Sequence, residues 1–173
     1  MRKIIAIDGH DASGKTSICK RISELLGYKY IKPFSNSLGD LIAWLITCKN
    51  YELANQIALS AIDKALKDNP ESNLIFDRHW ICMFTLIPDN LKREWKDVPF
   101  SILCWANPEI TLKRLQERNA IGMNKWDDHY FCQKYLEIGA QYHIPVVDTS
   151  FITIDEGVEK TLKIIQDNFG RMT

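Results

Sequence analysis

The sequence has no excess of charge of either sign: Lys+Arg and Asp+Glu each total 22 among 173 residues, a formal net charge of zero. A general nucleic-acid binder would carry a basic surplus, so that class is disfavoured, while a local basic pocket stays compatible with the balance. Long hydrophobic runs are also missing. No apolar stretch approaches the roughly 18–20 residues that a membrane-spanning helix needs. Met1-Arg2-Lys3 runs straight into an apolar segment, which predicts no signal peptide. Cysteine is present but not in pairs: Cys19, Cys48, Cys82, Cys104 and Cys132 are an odd set without a CxxC motif. They read as reduced core or near-core thiols of a cytoplasmic protein. His129 and Cys132 have the spacing of one helix face, but two ligands do not make a zinc site. Repeats, low-complexity tracts and Gly/Ser/Pro linkers are absent too, so the expectation is one domain over residues 1–173.

What the sequence does contain is an alternation of strand-like and helix-like patterns. Lys3–Asp8, Tyr28–Ile31, Asn73–Asp77, Phe100–Trp105 and Pro145–Asp148 are short apolar runs, each ending at a turn-forming, charged or loop residue. Between them, Lys15–Leu26, Ser37–Cys48, Tyr51–Lys67, a stretch from Pro108 to about Arg118, Asp127–Gln141 and Asp155–Phe169 carry helical periodicity. Asn107-Pro108-Glu109 supplies an N-cap, a proline at the first helical position and an early acid. Thr153 and Glu156 have capping-box spacing. Such an alternation predicts an α/β fold with a five-stranded, mostly parallel sheet flanked by helices on both faces. The ligand then belongs beyond the carboxyl ends of the strands, where Gly9, Asp77 and Thr149 fall.

Gly9-His10-Asp11-Ala12-Ser13-Gly14-Lys15-Thr16 fits GxxxxGK[ST], and its context gives the match its weight. It follows an apolar strand and opens an amphipathic helix, so successive N–H groups and the helix N-terminus can bind anionic phosphate oxygens. Gly9 and Gly14 let the backbone approach closely. Lys15 is placed to reach the β- and γ-phosphates, and the Thr16 hydroxyl to hold Mg²⁺. The candidate triphosphate-binding set is therefore these eight residues with Ser17 behind them, and the expected architecture is a P-loop NTPase fold. Asn124-Lys125-Trp126-Asp127 has the letters of a guanine-reading loop, but it follows a helix and a loop instead of a strand, so a GTPase is not indicated.

The motif Phe76-Asp77-Arg78-His79-Trp80, taken with Ile7–Thr16, resembles the thymidylate kinase family and its deoxynucleoside kinase relatives. Asn107-Pro108-Glu109 with Leu112 to Arg118 looks like the entry to their lid, and Val147-Asp148-Thr149-Ser150 like the late strand near the adenine. The resemblance implies a kinase using Mg·ATP, with Lys15 and the loop binding the donor. Thr16 and Asp77 would serve the metal, Arg78 would grip the acceptor's phosphate, and Asp11 would face its sugar hydroxyl. Arg118, with Lys125, would act as lid cations over about 118–128. A homodimer is also implied, and the apolar Leu41–Ile46 can supply its interface or simply be core. Each role has a plainer competitor: a strand-end ion pair for Asp77-Arg78, turn stabilisation for Asp11, and a helix C-terminal charge for Arg118. His10 has no assigned role unless it touches the acceptor.

Several departures bear on the acceptor. Where deoxynucleoside kinases place a Glu-Pro pair whose carboxylate can take a hydroxyl proton, this chain has Lys32-Pro33. A lysine suits an anionic acceptor, whose phosphate oxygen is already ionised. That favours a nucleoside monophosphate over a nucleoside. The lid segment is poor in arginine, and Ile81–Leu86 lacks polar residues for reading a base edge. A slot lined by Phe34, Trp80 or Phe84 would stack any base, although such aromatics are more often core. The expectation is a deoxynucleoside monophosphate kinase. A deoxynucleoside or other small-molecule kinase and a nucleotide-binding protein with little catalysis remain the alternatives.

Overall fold

The computed structural model describes residues 2–118 and 128–170. Strands β1 (Ile4–Asp8), β2 (Lys29–Ile31), β3 (Leu74–Asp77), β4 (Phe100–Trp105) and β5 (Val146–Asp148) form one sheet in the order β2-β3-β1-β4-β5. Every pairing is parallel, so the mixed arrangement left open by the sequence does not occur among the described strands. The helices are α1 (Lys15–Leu26), α2 (Asn36–Thr47), α3 (Tyr51–Lys67), α4 (Trp80–Phe84), α5 (Asp89–Lys92), α6 (Pro108–Glu117), α7 (Asp128–Gln141) and α8 (Ile154–Phe169).

Side chains alternate across a strand, so each strand serves two cores. Ala6, Leu74, Phe76 and Leu103 face one way, against Ile42, Leu45 and Ile46 of α2, Ala54, Ala58 and Ile62 of α3, all of α4 except Cys82, and Tyr135 and Ile138 of α7. Ile5, Ile7, Ile75, Ile102, Cys104 and Val147 face the other way, against Ile18, Cys19 and Ile22 of α1 and Val158 and Ile165 of α8. At about 1.5–3 kcal/mol for each fully buried aliphatic side chain, these two layers are what hold the sheet in place. Within α2, Ile42, Leu45 and Ile46 are core while Leu41 and Trp44 stay exposed, so only part of that apolar stretch is available to any partner. Among the described residues no helix is long and apolar enough to cross a membrane.

Helix boundaries agree with the sequence patterns to within a residue, and both proposed caps form. The Asn107 side chain accepts from the Glu109 N–H, and Thr153 with Glu156 makes a complete capping box. Two helices were not anticipated. All five residues of α4 are buried, so it has no polar face to give a helical period, and α5 is a single turn.

The register positions the site. Ile7 pairs with Asp77 and Asp8 with Leu103, so β1, β3 and β4 end side by side. The Arg78 N–H continues the ladder to the Ile7 carbonyl at 3.1 Å. The loop of residues 9–14 leaves the central strand, β1, at this shared edge.

Candidate active site

Loop residues 9–14 turn through conformations that ordinary residues avoid. Gly9 has φ 153°, and a Cβ there would lie 2.1 Å from the Cys104 carbonyl oxygen, so the backbone of β4 leaves room only for glycine. Ala12 (φ 57°) and Gly14 (φ 82°) are left-handed. What fixes these turns is the disposal of their carbonyls. The His10 carbonyl accepts from the Lys15 ammonium at 3.0 Å and the Asp11 carbonyl from the His10 ring at 2.9 Å. Arg114 donates to the Ala12 carbonyl at 3.1 Å, and the Thr149 hydroxyl to that of Ser13 at 2.8 Å. The Gly14 carbonyl receives the first helical bond, from the Ile18 N–H at 3.2 Å. With each carbonyl from 10 to 14 engaged, the first-turn N–H groups of Lys15, Thr16 and Ser17 remain as donors at the wall of a cleft. That cleft has a volume of about 310 Å³ and is lined by Asp11, Ala12, Gly14, Lys15, Thr16, Ser17 and Arg118. A positive helix end, an ammonium and a guanidinium are the features that an anion-binding cleft requires.

His10 supports the loop from behind. It is buried, and the Ala106 N–H donates to its Nε2 at 3.2 Å, which makes Nδ1 the protonated nitrogen that donates to Asp11. Trp105 and Tyr135 meet the ring edge-on. Burial pulls its pKa down to about 4, so the imidazole is neutral near pH 7.

Lys15 and Arg78 converge on one atom. Arg78 pairs with Asp11 Oδ1, and the Lys15 ammonium lies 4.0 Å from the same oxygen. Arg78 stands at the turn after β3 with φ 78°, and its other terminal nitrogen reaches the Cys82 sulfur at 3.4 Å. The Arg78 charge beside it holds the Asp11 carboxyl below its ordinary range, while burial lowers the pKa of Lys15.

Behind this pair lie two buried carboxylates. Asp8 Oδ1 accepts from the His79 and Cys82 N–H groups at 3.0 and 3.1 Å, pinning the start of α4, and burial raises its pKa to about 6. Asp77 Oδ2 accepts from the Thr16 hydroxyl and the Tyr30 hydroxyl, both at 2.7 Å. Asp77 Oδ1 is buried with no hydrogen-bond partner. An orphaned carboxylate oxygen beside a hydroxyl whose proton is already committed is an all-oxygen donor set, which fits Mg²⁺.

The phosphate-loop residues, Arg78, Asp77, Thr16 and Arg118 thus gather at one edge. Arg118 caps α6, exposed, on the cleft wall, so its helix-end position and its cleft position coexist. Lys32 is exposed after β2, and Phe34 is half-buried against the α2–α3 core. Trp80 departs from the stacking slot suggested by the sequence. It is 2% exposed, and its indole N–H donates to Ser101 at 2.7 Å, near the opposite, amino end of β4. Lys125 and most of the expected lid lie outside the described residues. Of the two residues with one-face spacing on α7, Cys132 is buried and His129 exposed. Sequence reasoning missed Tyr30 and Arg114. The available hint for Arg114 was its place one turn before Arg118, on the same face of α6.

No family model matches the sequence. Cytidylate kinase of Borrelia duttonii is 44% identical over 57 residues, which is 32% of this chain and 26% of that protein, so the match spans about a quarter of the relative's length. Deoxyadenosine kinase from M. mycoides with bound dATP superposes with a TM-score of 0.68 at 19% identity, covering 95% of this chain and 100% of the other. Thymidylate kinase from Candida albicans gives 0.67 at 20% identity, covering 96% and 92%. The all-parallel five-stranded sheet with helices on both faces is the fold of the P-loop kinases.

Proposed function

We propose that the chain transfers the γ-phosphoryl group of ATP to a deoxynucleoside monophosphate. The observation that carries this reading is the convergence of Lys15 and Arg78 on Asp11 Oδ1. One cation belongs to the phosphate loop and the other follows β3, so an anionic oxygen between them marks where donor and acceptor phosphates would meet. The acceptor's phosphate takes the place of the Asp11 carboxylate on Arg78, and Lys15 leaves the His10 carbonyl for the donor's phosphate oxygens. The acceptor oxygen attacks the γ-phosphorus, a new P–O bond forms, and the departing ADP keeps the electron pair of the broken one. Positioning and positive charge are the main demands of this reaction. Thr16 and Asp77 are the residues that would hold Mg²⁺, which supplies charge to the phosphoryl oxygens when bound.

The acceptor class follows from what the carboxylates are doing. Among the described residues at the cleft, Asp11 is paired with Arg78 and Asp77 with two hydroxyls, and Lys32 stands where a carboxylate base would otherwise follow β2. With Asp8 and Asp77 fully buried and the exposed Asp11 held by a guanidinium, an acceptor oxygen that is already ionised suits this site better than a hydroxyl needing a base. ADP release measured across common nucleosides and monophosphates tests this. Turnover with a deoxynucleoside monophosphate is expected. Turnover with nucleosides alone would replace the acceptor class, and ATP binding without any turnover would remove the enzymatic reading.

A further inference from the structure

The two oxygens of Asp77 are treated unequally, and the difference comes from a residue outside the phosphate loop. Oδ2 receives two hydroxyl protons, from Thr16 at 2.7 Å and from Tyr30 at 2.7 Å, while Oδ1 is buried and receives none. A carboxylate turns easily about its terminal torsion. Two donors arriving at one oxygen from different elements, α1 and β2, stop that rotation.

The sheet register explains how Tyr30 reaches this position. Tyr30 is the parallel neighbour of Ile75, so its side chain lies on the same face as Ile75 and Asp77, the face that α1 covers. The ring packs at the edge of that core, with the Lys20 ammonium 5.9 Å from its centroid. Only its hydroxyl extends to the carboxylate.

We propose that Tyr30 is a positioning residue of the divalent-cation site: its hydroxyl, together with that of Thr16, occupies Asp77 Oδ2 and holds Oδ1 as the single acceptor for the cation or its bound water. This rests on the reading of the cleft as a Mg·nucleotide site. The hydroxyl touches neither nucleotide nor metal in this account and acts only through Asp77. Its removal should therefore change how strongly metal and nucleotide support each other's binding, and leave metal-free nucleotide binding alone. Removing a group that orients a metal-site residue typically weakens metal affinity by about 10-fold or more.

The test is a titration of the full chain with a fluorescent ATP analogue at a series of Mg²⁺ concentrations, for the wild type and Tyr30→Phe. The Mg²⁺ concentration giving half of the maximal affinity gain should rise about 10-fold in the variant. Its analogue affinity in chelator and its melting temperature should match the wild type. If Tyr30→Phe proves unstable, Tyr30→Leu removes the same hydroxyl in a second background. An unchanged Mg²⁺ half-point overturns the role of Tyr30 while leaving the nucleotide site intact. So does an equal loss of affinity with and without Mg²⁺. A wild type whose affinity ignores Mg²⁺ would overturn both the metal reading and this inference.

Discussion

His10→Ala examines whether the phosphate loop is held from behind, as the carbonyl arrangement implies. The imidazole satisfies the Ala106 N–H and the Asp11 carbonyl at once, and it is only 5% exposed. Alanine would leave the buried Ala106 N–H and the part-buried Asp11 carbonyl without this partner, at about 1–3 kcal/mol each with the larger share from Ala106. A total near 3 kcal/mol corresponds to a melting temperature lower by about 6–12 °C in a chain of this size. Nucleotide affinity should fall further than the stability loss alone explains, because the freed Asp11 carbonyl can turn toward the cleft. The pH dependence isolates the same side chain. Burial holds the folded pKa at about 4, below the unfolded value of 6.5. The neutral ring is therefore the stabilising form, its contribution complete above pH 6.5 and lost as pH falls toward 4. At pH 5 the wild type should have lost about 2 kcal/mol through His10, which the variant cannot lose, so the stability gap narrows by that amount. Asp8 runs the other way, since its raised pKa of about 6 makes acidification from 6 toward 3.8 stabilising, but it does so equally in both proteins. Urea unfolding at pH 7 and pH 5 measures the gap. A variant within about 2 °C of the wild type, well under the expected loss, or a gap that ignores pH, would refute the reasoning.

Arg78→Ala should raise the acceptor's KM by roughly 10- to 100-fold, the worth of a charge-assisted phosphate contact, while leaving the affinity for ATP within about two-fold. Initial-rate kinetics with each substrate varied in turn separates the two, and a defect confined to ATP would contradict the acceptor role. Gly9→Ala should abolish nucleotide binding and cost about 3 kcal/mol or more of stability, because the new Cβ meets the backbone oxygen of Cys104 rather than a movable side chain. Gly27→Ala is its control. A Cβ there has nothing within 4 Å, and only the left-handed φ of 64° is penalised, by about 1 kcal/mol. Thermal denaturation of the pair should show that contrast, and equal losses would mean that loop clearance is not the constraint.

The sheet was legible because buried parallel strands are continuous apolar runs, and Ile4–Asp8 and Phe100–Trp105 carry little else. The turn from β1 into α1 and the two helix caps were legible because their geometry is local, within a few residues. Helix α4 was not, since a segment buried on every side has no period. Trp80 was misplaced for a related reason: nothing in Asp77-Arg78-His79-Trp80 says that its indole turns toward Ser101 at the amino end of β4. The supports of the site were hidden by distance along the chain. Arg114 reaches Ala12 across 102 residues, Thr149 reaches Ser13 across 136, and Tyr30 reaches Asp77 across 47. His10 looked like a free polar residue of the loop, because only the approach of Ala106 reveals that its neutral tautomer fits between two backbone groups.

The most direct measurement is transfer of the labelled γ-phosphate of ATP to deoxynucleoside monophosphates by the wild type and by Lys15→Ala. The wild type should form labelled deoxynucleoside diphosphate. Lys15→Ala should lose about 10²–10³-fold in rate, the cost of removing a positive group from the transferring phosphoryl oxygens, with its fold intact. Equal transfer by the two proteins would contradict the assignment of this cleft as the site of phosphoryl transfer.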